Sequence, residues 1–141
     1  MSDLGLPAGV TLSASLPDVE EYRALRVAAG LSAKAADAAR RGLPGTLFAV
    51  TVRDGSALIG MGRVIGDGGL NYEIVDIAVH PDYQRRGLGS KIMRQLVDWL
   101  HENAQASAYV CLIADDDAPK LYSKFGFKFT APKSVGMAMR L

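Results

Sequence analysis

The stretch Gln84-Arg85-Arg86-Gly87-Leu88-Gly89-Ser90 gathers the groups that suit a phosphate-bearing ligand. Glycines let the backbone turn tightly and expose successive N–H groups. A helix starting just after them adds the positive end of its dipole, and two arginines add full charges. A diphosphate fits such a nest. Generic motifs do not account for it. A dinucleotide fingerprint opening at Gly87 needs a small residue where Ile92 stands, and a Walker A loop needs Gly-Lys-Ser/Thr where the order is Gly89-Ser90-Lys91. The spaced glycines of a nucleophile elbow around Ser90 are also missing. Upstream, Glu73 and Asp76 share one apolar run with odd spacing, so regular strand alternation sends them to opposite faces and only one of them toward a given pocket. Cys111 is the only cysteine, and His80 and His101 make no zinc spacing with it, so neither a disulfide framework nor a metal site is expected.

These residues need a scaffold, and the chain has the length for one domain over residues 1–141. With 49% apolar and 22% charged residues it falls in the globular range, and a formal charge of +1 gives no global field for nucleic acid or an anionic membrane. No apolar run approaches the roughly 20 residues that span a bilayer. Cytoplasmic residence is the expectation.

The elements alternate. Val10 to Ala14 reads as a short strand. Pro17-Asp18 opens a helix with Val19, Tyr22, Leu25 and Ala29 on one face, stopped by Gly30, and Ser32 is the expected N-cap of a second helix ending at Arg40-Arg41-Gly42. Leu47 to Val52 and Ala57 to Val64 flank the hairpin signal Asp54-Gly55, and Tyr72 to Val79 follows the turn Gly66-Asp67-Gly68-Gly69. Leu88, Ile92, Leu96 and Leu100 recur every four residues, which specifies an amphipathic helix beginning near Gly87. Ala108 to Ala114 suits a buried strand, Asp115 to Lys124 a further helix, and Phe127 to Thr130 and Val135 to Arg140 two closing strands. The fold class is α/β of the α+β type, in layers.

The loop Gln84 to Gly89, the strand end Ile77-Ala78-Val79-His80-Pro81 and the segment Ala118 to Phe127 together resemble the GNAT superfamily of N-acetyltransferases. The loop matches the family pattern Gln/Arg-x-x-Gly-x-Gly/Ala in full. The resemblance implies a mixed, mostly antiparallel sheet of six to seven strands flanked by about four helices, splayed between the strand ending at Val79 and that of Ala108 to Ala114. Acetyl-CoA would lie in the gap. Its pyrophosphate would sit on the backbone N–H groups of Gln84, Arg85, Arg86, Gly87, Leu88, Gly89 and Ser90, and its pantetheine arm along Ile77, Ala78 and Val79. Arg85 and Arg86 are candidates for direct phosphate contact, with plain solvated arginines as the alternative.

The resemblance also assigns roles. Tyr122 matches the tyrosine that protonates the departing thiolate, and Glu73 the glutamate that takes a proton from the amine. Asp76 has a second reading as a buried, hydrogen-bonded aspartate that anchors a helix or the chain near the N-terminus. Asp115 stands where relatives often carry Asn, which puts one pantetheine contact in doubt, with Asp117 as a substitute. Cys111 reads as a buried strand residue with no part in the reaction. The implied reaction is direct attack of a primary amine on the thioester, through a tetrahedral intermediate, with no metal. A small molecule is the expected acceptor. A peptide or protein amine, and a non-catalytic acyl-CoA sensor, are the alternatives. Tyr22, Arg26, Arg40, Arg41 and Lys133 lie in the regions that would shape the acceptor site, and a homodimer is a possible assembly.

Overall fold

Turn-forming residues cut the middle of the chain into consecutive antiparallel strands. In the computed structural model, which describes residues 5–141, β1 (Val10–Ser13), β2 (Phe48–Asp54), β3 (Ala57–Gly66) and β4 (Asn71–Val79) pair antiparallel in that order, and β5 (Tyr109–Leu112) joins β4 in parallel. The β2–β3 hairpin turns between Asp54 and Ala57, as the Asp54-Gly55 signal requires. The turn into β4 is closed by the Asp67 carboxylate, which accepts from the N–H groups of Gly69, Leu70 and Asn71 at 2.9, 2.8 and 3.1 Å.

Four helices cover the sheet. α1 (Val19–Ala28) and α2 (Ala36–Gly42) lie on one face, where Tyr22, Leu25, Ala39 and Leu43 pack with Met61 and Ala78. α1 starts at Asp18, whose N–H donates to the Glu21 carboxylate at 2.8 Å. α2 starts later than expected, because Ser32 is engaged elsewhere: its carbonyl and hydroxyl accept from Arg26 at 2.9 and 3.0 Å. The other face carries α3 (Leu88–Asn103), whose Leu88, Ile92, Met93 and Leu96 are fully buried against Val50, Val52, Val64 and Ile74. That close approach depends on Gly62, where a Cβ would fall 2.6 Å from Ile77, 2.7 Å from Ile92 and 2.9 Å from Leu96. α4 (Ala118–Ser123) follows β5.

The sheet has five strands rather than the six to seven implied by the resemblance. Phe127 to Thr130 and Val135 to Arg140 carry the residue pattern of strands, but neither pairs with a neighbour. A strand exists only where its backbone groups find a partner ladder, and residues 126–130 face β5 across a cavity instead of bonding to it. The outer edge of β5 stays open.

Candidate active site

β4 and β5 part company halfway along β4. Their ladder runs from Asn71 opposite Tyr109 to Ile74 opposite Leu112, while β4 continues to Val79 without β5 beside it. Main-chain groups of the unpaired half therefore alternate between β3 and an open gap. The His80 N–H donates to the Ile59 carbonyl at 2.7 Å, and Met61 stands opposite Ala78, so the backbone of Ala78 is turned to β3. Ile77 and Val79 point the other way. The resemblance put Ala78 with them along the pantetheine, and alternation takes it out. The Val79 carbonyl already accepts from the Gln84 amide at 3.0 Å, which ties the first residue of the loop to the strand end.

The loop then leads directly into α3. Gly87 holds φ +77°, a left-handed conformation in which a side chain would be strained, and it starts the helix. The first helical bond is Lys91 N–H to the Gly87 carbonyl at 3.2 Å, so the N–H groups of Leu88, Gly89 and Ser90 lie in the unpaired first turn with the positive dipole end. Leu88 contributes its backbone alone, since its side chain is buried in the core. Arg85 and Arg86 are exposed, and Arg86 lies over the Tyr83 ring at 5.5 Å. Tyr83 in turn donates to the Asp54 carboxylate, a bond that pushes the phenol pKa up and pins the loop's approach to the β2–β3 hairpin.

Asp76 closes the other side of β4. Met61 stands opposite Ala78 and Arg63 opposite Val75, so β4 spends three steps where β3 spends two, and Asp76 takes φ +60° in the resulting bulge. The bulge overturns strict alternation. Ile65 faces Glu73 as Arg63 faces Val75, and Arg63 reaches Asp76, so both carboxylates are on the α1/α2 face rather than on opposite faces. Asp76 is nonetheless spent on structure. Its side chain is 7% exposed and accepts from Tyr22 at 2.8 Å, Arg63 at 2.8 Å and Arg26. This matches the anchoring role read for it in the sequence. It also corrects the acceptor region, because Tyr22 and Arg26 are buried in this cluster; Arg40, Arg41 and Lys133 are exposed. Glu73 is half-buried between Ile65 and Cys111, free of such partners.

Tyr122 stands across the gap. With Leu112, Ile113, Ala114 and Pro119 it lines a cavity of about 480 Å³ at the end of β5, and Leu121 beside it lies 3.6 Å from where a Gly89 Cβ would be. The start of α3 and the start of α4 are thus neighbours. Burial, reinforced by the Asp115 charge, raises the Tyr122 pKa, so the group keeps its proton, and among the described residues its hydroxyl has no hydrogen-bond partner. Burial and the Glu73 charge likewise push the Cys111 thiol up, away from reactivity.

A family model for the acetyltransferase (GNAT) family matches residues 18–127. The chain belongs to this family. A 1.7 Å crystal structure of a protein of unknown function, a probable acetyltransferase from meticillin-resistant Staphylococcus aureus, is 49% identical with a TM-score of 0.90, covering 94% of this chain and 99% of that one. An uncharacterized N-acetyltransferase ycf52 from Pyropia yezoensis is 39% identical over 72 residues, 51% of this chain and 40% of the relative. The chloroplastic GCN5-related N-acetyltransferase 2 of Arabidopsis thaliana is 35% identical over 80 residues, 57% of this chain and 30% of the relative. The chain spans well under half the length of these two curated relatives.

Within this GNAT domain the sequence did not point to Arg63, Tyr83 or Asp54. Each acts through a partner distant along the chain, and only pairing of the strands brings them together. The one available signal was the polar residue Arg63 in an otherwise apolar run, which in a buried strand demands a counter-charge. No helix is long and apolar enough to cross a membrane among the described residues.

Proposed function

We propose that this GNAT domain moves the acetyl group of acetyl-CoA to the primary amine of a small molecule. The observation that carries the reading is the divergence of β4 and β5 beyond Ile74 and Leu112, flanked by the unpaired first turn of α3 and the unpartnered Tyr122 hydroxyl. The residues present suit the co-substrate. N–H groups of Gly87 to Ser90 suit its diphosphate, and the open backbone of Ile77 and the Val79 N–H suit the amides of its arm. Acetyl-CoA supplies an activated thioester, and the remaining work falls to the chain.

An alkylamine with a pKa near that of lysine, about 10.4, arrives as ammonium and must lose a proton before it attacks. Glu73, half-buried on the α1/α2 face and free of ion pairs, receives that proton directly or through water. Charge developing on the thioester oxygen is met by a main-chain N–H at Ile77 or Val79, already fixed in direction by the bulge. Tyr122, kept protonated by its raised pKa, gives its proton to the departing sulfur and is reprotonated by the proton that the newly acylated, cationic nitrogen loses. The test is release of CoA thiol by the purified protein across arylalkylamines, polyamines, aminoglycosides, amino acids and short peptides, with products weighed by mass spectrometry. Small-amine-dependent release is the expected result, and a clear preference for peptides would move the acceptor class. No release with intact acetyl-CoA binding would make the chain a sensor. No binding at all would defeat the site.

A further inference from the structure

Positive charge collects along the start of α3 without the acids that usually accompany it. Between Asp82 and Asp98 the chain carries Arg85, Arg86, Lys91 and Arg94 and no Asp or Glu, although its formal net charge is only +1. The first turn of a helix favours acidic side chains, and that of α3 has none. Lys91 stands against this dipole. It is half-buried, it has no ion pair among the described residues, and its Nζ folds back to 3.4 Å from where a Gly87 Cβ would lie. An ammonium kept at the positive end of a helix calls for an anion beside it. Arg94 is held in place as well. Its guanidinium lies over the Phe125 ring at 4.8 Å, and Asp98, at 3.8 Å, is a loose partner because both side chains are more than half exposed.

Ser90, Lys91, Arg94, Gln95 and Phe125 line a cavity of about 280 Å³. Ser90 and Arg94 share a helix face one turn apart, about 5.4 Å, so this cavity continues from the unpaired N–H groups of the first turn. A diphosphate on those groups leaves one phosphate of acetyl-CoA unassigned, the monoester on the 3′ carbon of its ribose. Only the ribose separates the two, so the monoester must fall a short step from the nest. We propose that Lys91 and Arg94 bind this 3′-phosphate, with the Ser90 hydroxyl and the Gln95 amide as further donors. A phosphate monoester carries about −1.5 to −2 charges at pH 7, and a guanidinium can bind two of its oxygens through parallel N–H bonds. The inference rests on the acetyl-CoA reading of the loop and adds the choice of donor to it. A thioester on the phosphopantetheine arm of a carrier protein lacks the 3′-phosphate, so these two cations select free CoA thioesters over carrier-bound ones.

Titration calorimetry of the full chain with CoA and with 3′-dephospho-CoA, at low ionic strength, tests the assignment. CoA should bind on the order of 10- to 100-fold more tightly, the range expected of hydrogen bonds to a charged group. Equal affinities overturn the proposal and leave the diphosphate on the loop. No binding of either ligand defeats the acetyl-CoA reading, and the proposal falls with it. Raising the salt concentration should narrow the gap between the two ligands, since both cations are open to solvent on one side. The double variant Lys91→Gln, Arg94→Gln should bring CoA down to the affinity of 3′-dephospho-CoA and leave 3′-dephospho-CoA where it was. A double variant that weakens both ligands alike would put these cations on the diphosphate, and would equally sink the assignment. Should the variant fail to fold, the comparison of the two ligands on the unaltered chain still decides.

Discussion

The two edges of β4 are built on opposite plans. Toward β3 and α1 the buried charges are answered: Asp76 receives Tyr22, Arg26 and Arg63, and the arginines go on to Ser32 and Thr46. Toward β5 the ladder stops at Ile74, the first turn of α3 is unpaired, and Tyr122 keeps a free hydroxyl. One edge is closed so that the other can stay open. A strand freed along one side loses half its ladder bonds, and the buried cluster holds it in a direction it would otherwise lose. The bulge belongs to both edges, since its extra residue places Asp76 in the cluster and turns Ile77 toward the gap.

The largest effect should come from breaking the closed edge. Asp76→Ala leaves two buried guanidinium groups without their counter-charge, and loss of one partner of a buried ion pair typically costs about 3–5 kcal/mol. Urea unfolding should show that loss. Asp76→Gly should recover roughly 1 kcal/mol of it, because φ +60° is strained for alanine and not for glycine. Equal losses in the two variants would mean that the bulge stores no strain.

The next largest belongs to the open edge. Tyr122→Phe removes only a hydroxyl that has no hydrogen-bond partner among the described residues, so melting temperature and acetyl-CoA affinity should hold while kcat falls on the order of 10²-fold. A drop in stability instead would make Tyr122 a packing residue. The alkaline limb sharpens this. With its pKa raised, the phenol should sustain turnover to a pH above the ordinary tyrosine value of about 10, and Tyr122→Phe should lose that limb.

Gly62→Ala couples the two edges. Its methyl would meet the ends of Ile77, Ile92 and Leu96 at 2.6–2.9 Å, and forced repacking of this kind costs typically 1–3 kcal/mol. Because Ile77 borders the gap, the KM for acetyl-CoA should rise along with the loss in stability. A stability loss with unchanged KM would show that the gap is insulated from α3.

The same division explains what was legible in the sequence. Helix α3, the hairpin at Asp54-Gly55 and the glycine loop rest on local periodicity and local backbone needs, so their residues announce them. The start of α2 did not, because Ser32 is a good N-cap by type and is claimed by Arg26 from another helix. The faces of Glu73 and Asp76 were misread because a bulge adds a residue that alternation cannot foresee. The closing strands at Phe127 to Thr130 and Val135 to Arg140 were predicted from residue type, but a strand pattern does not say which edge it pairs with. Of the candidate site, Ile77, Val79, the loop and Tyr122 were named through motif alone, and the motif carried no sign that the Ala78 backbone turns to β3.

The smallest effect lies at the rim of the closed edge and tests whether burial, rather than charge pairing as such, sets the scale. Arg53 donates to Glu21 at 2.9 and 2.7 Å, the same chemistry as at Asp76, but these side chains are 29 and 25% exposed. The Arg53 guanidinium, with help from the Asp18 N–H, holds the Glu21 carboxyl below its ordinary value of 4.5. A carboxyl lowered in the folded state contributes stability that is full above the unfolded value and is lost as pH falls through the folded one. Glu21→Gln should therefore cost under about 1 kcal/mol at pH 7, and the gap to wild type should close as pH drops below that ordinary value. A cost at pH 7 as large as that of Asp76→Ala would show that pairing alone, not burial, makes the closed edge rigid.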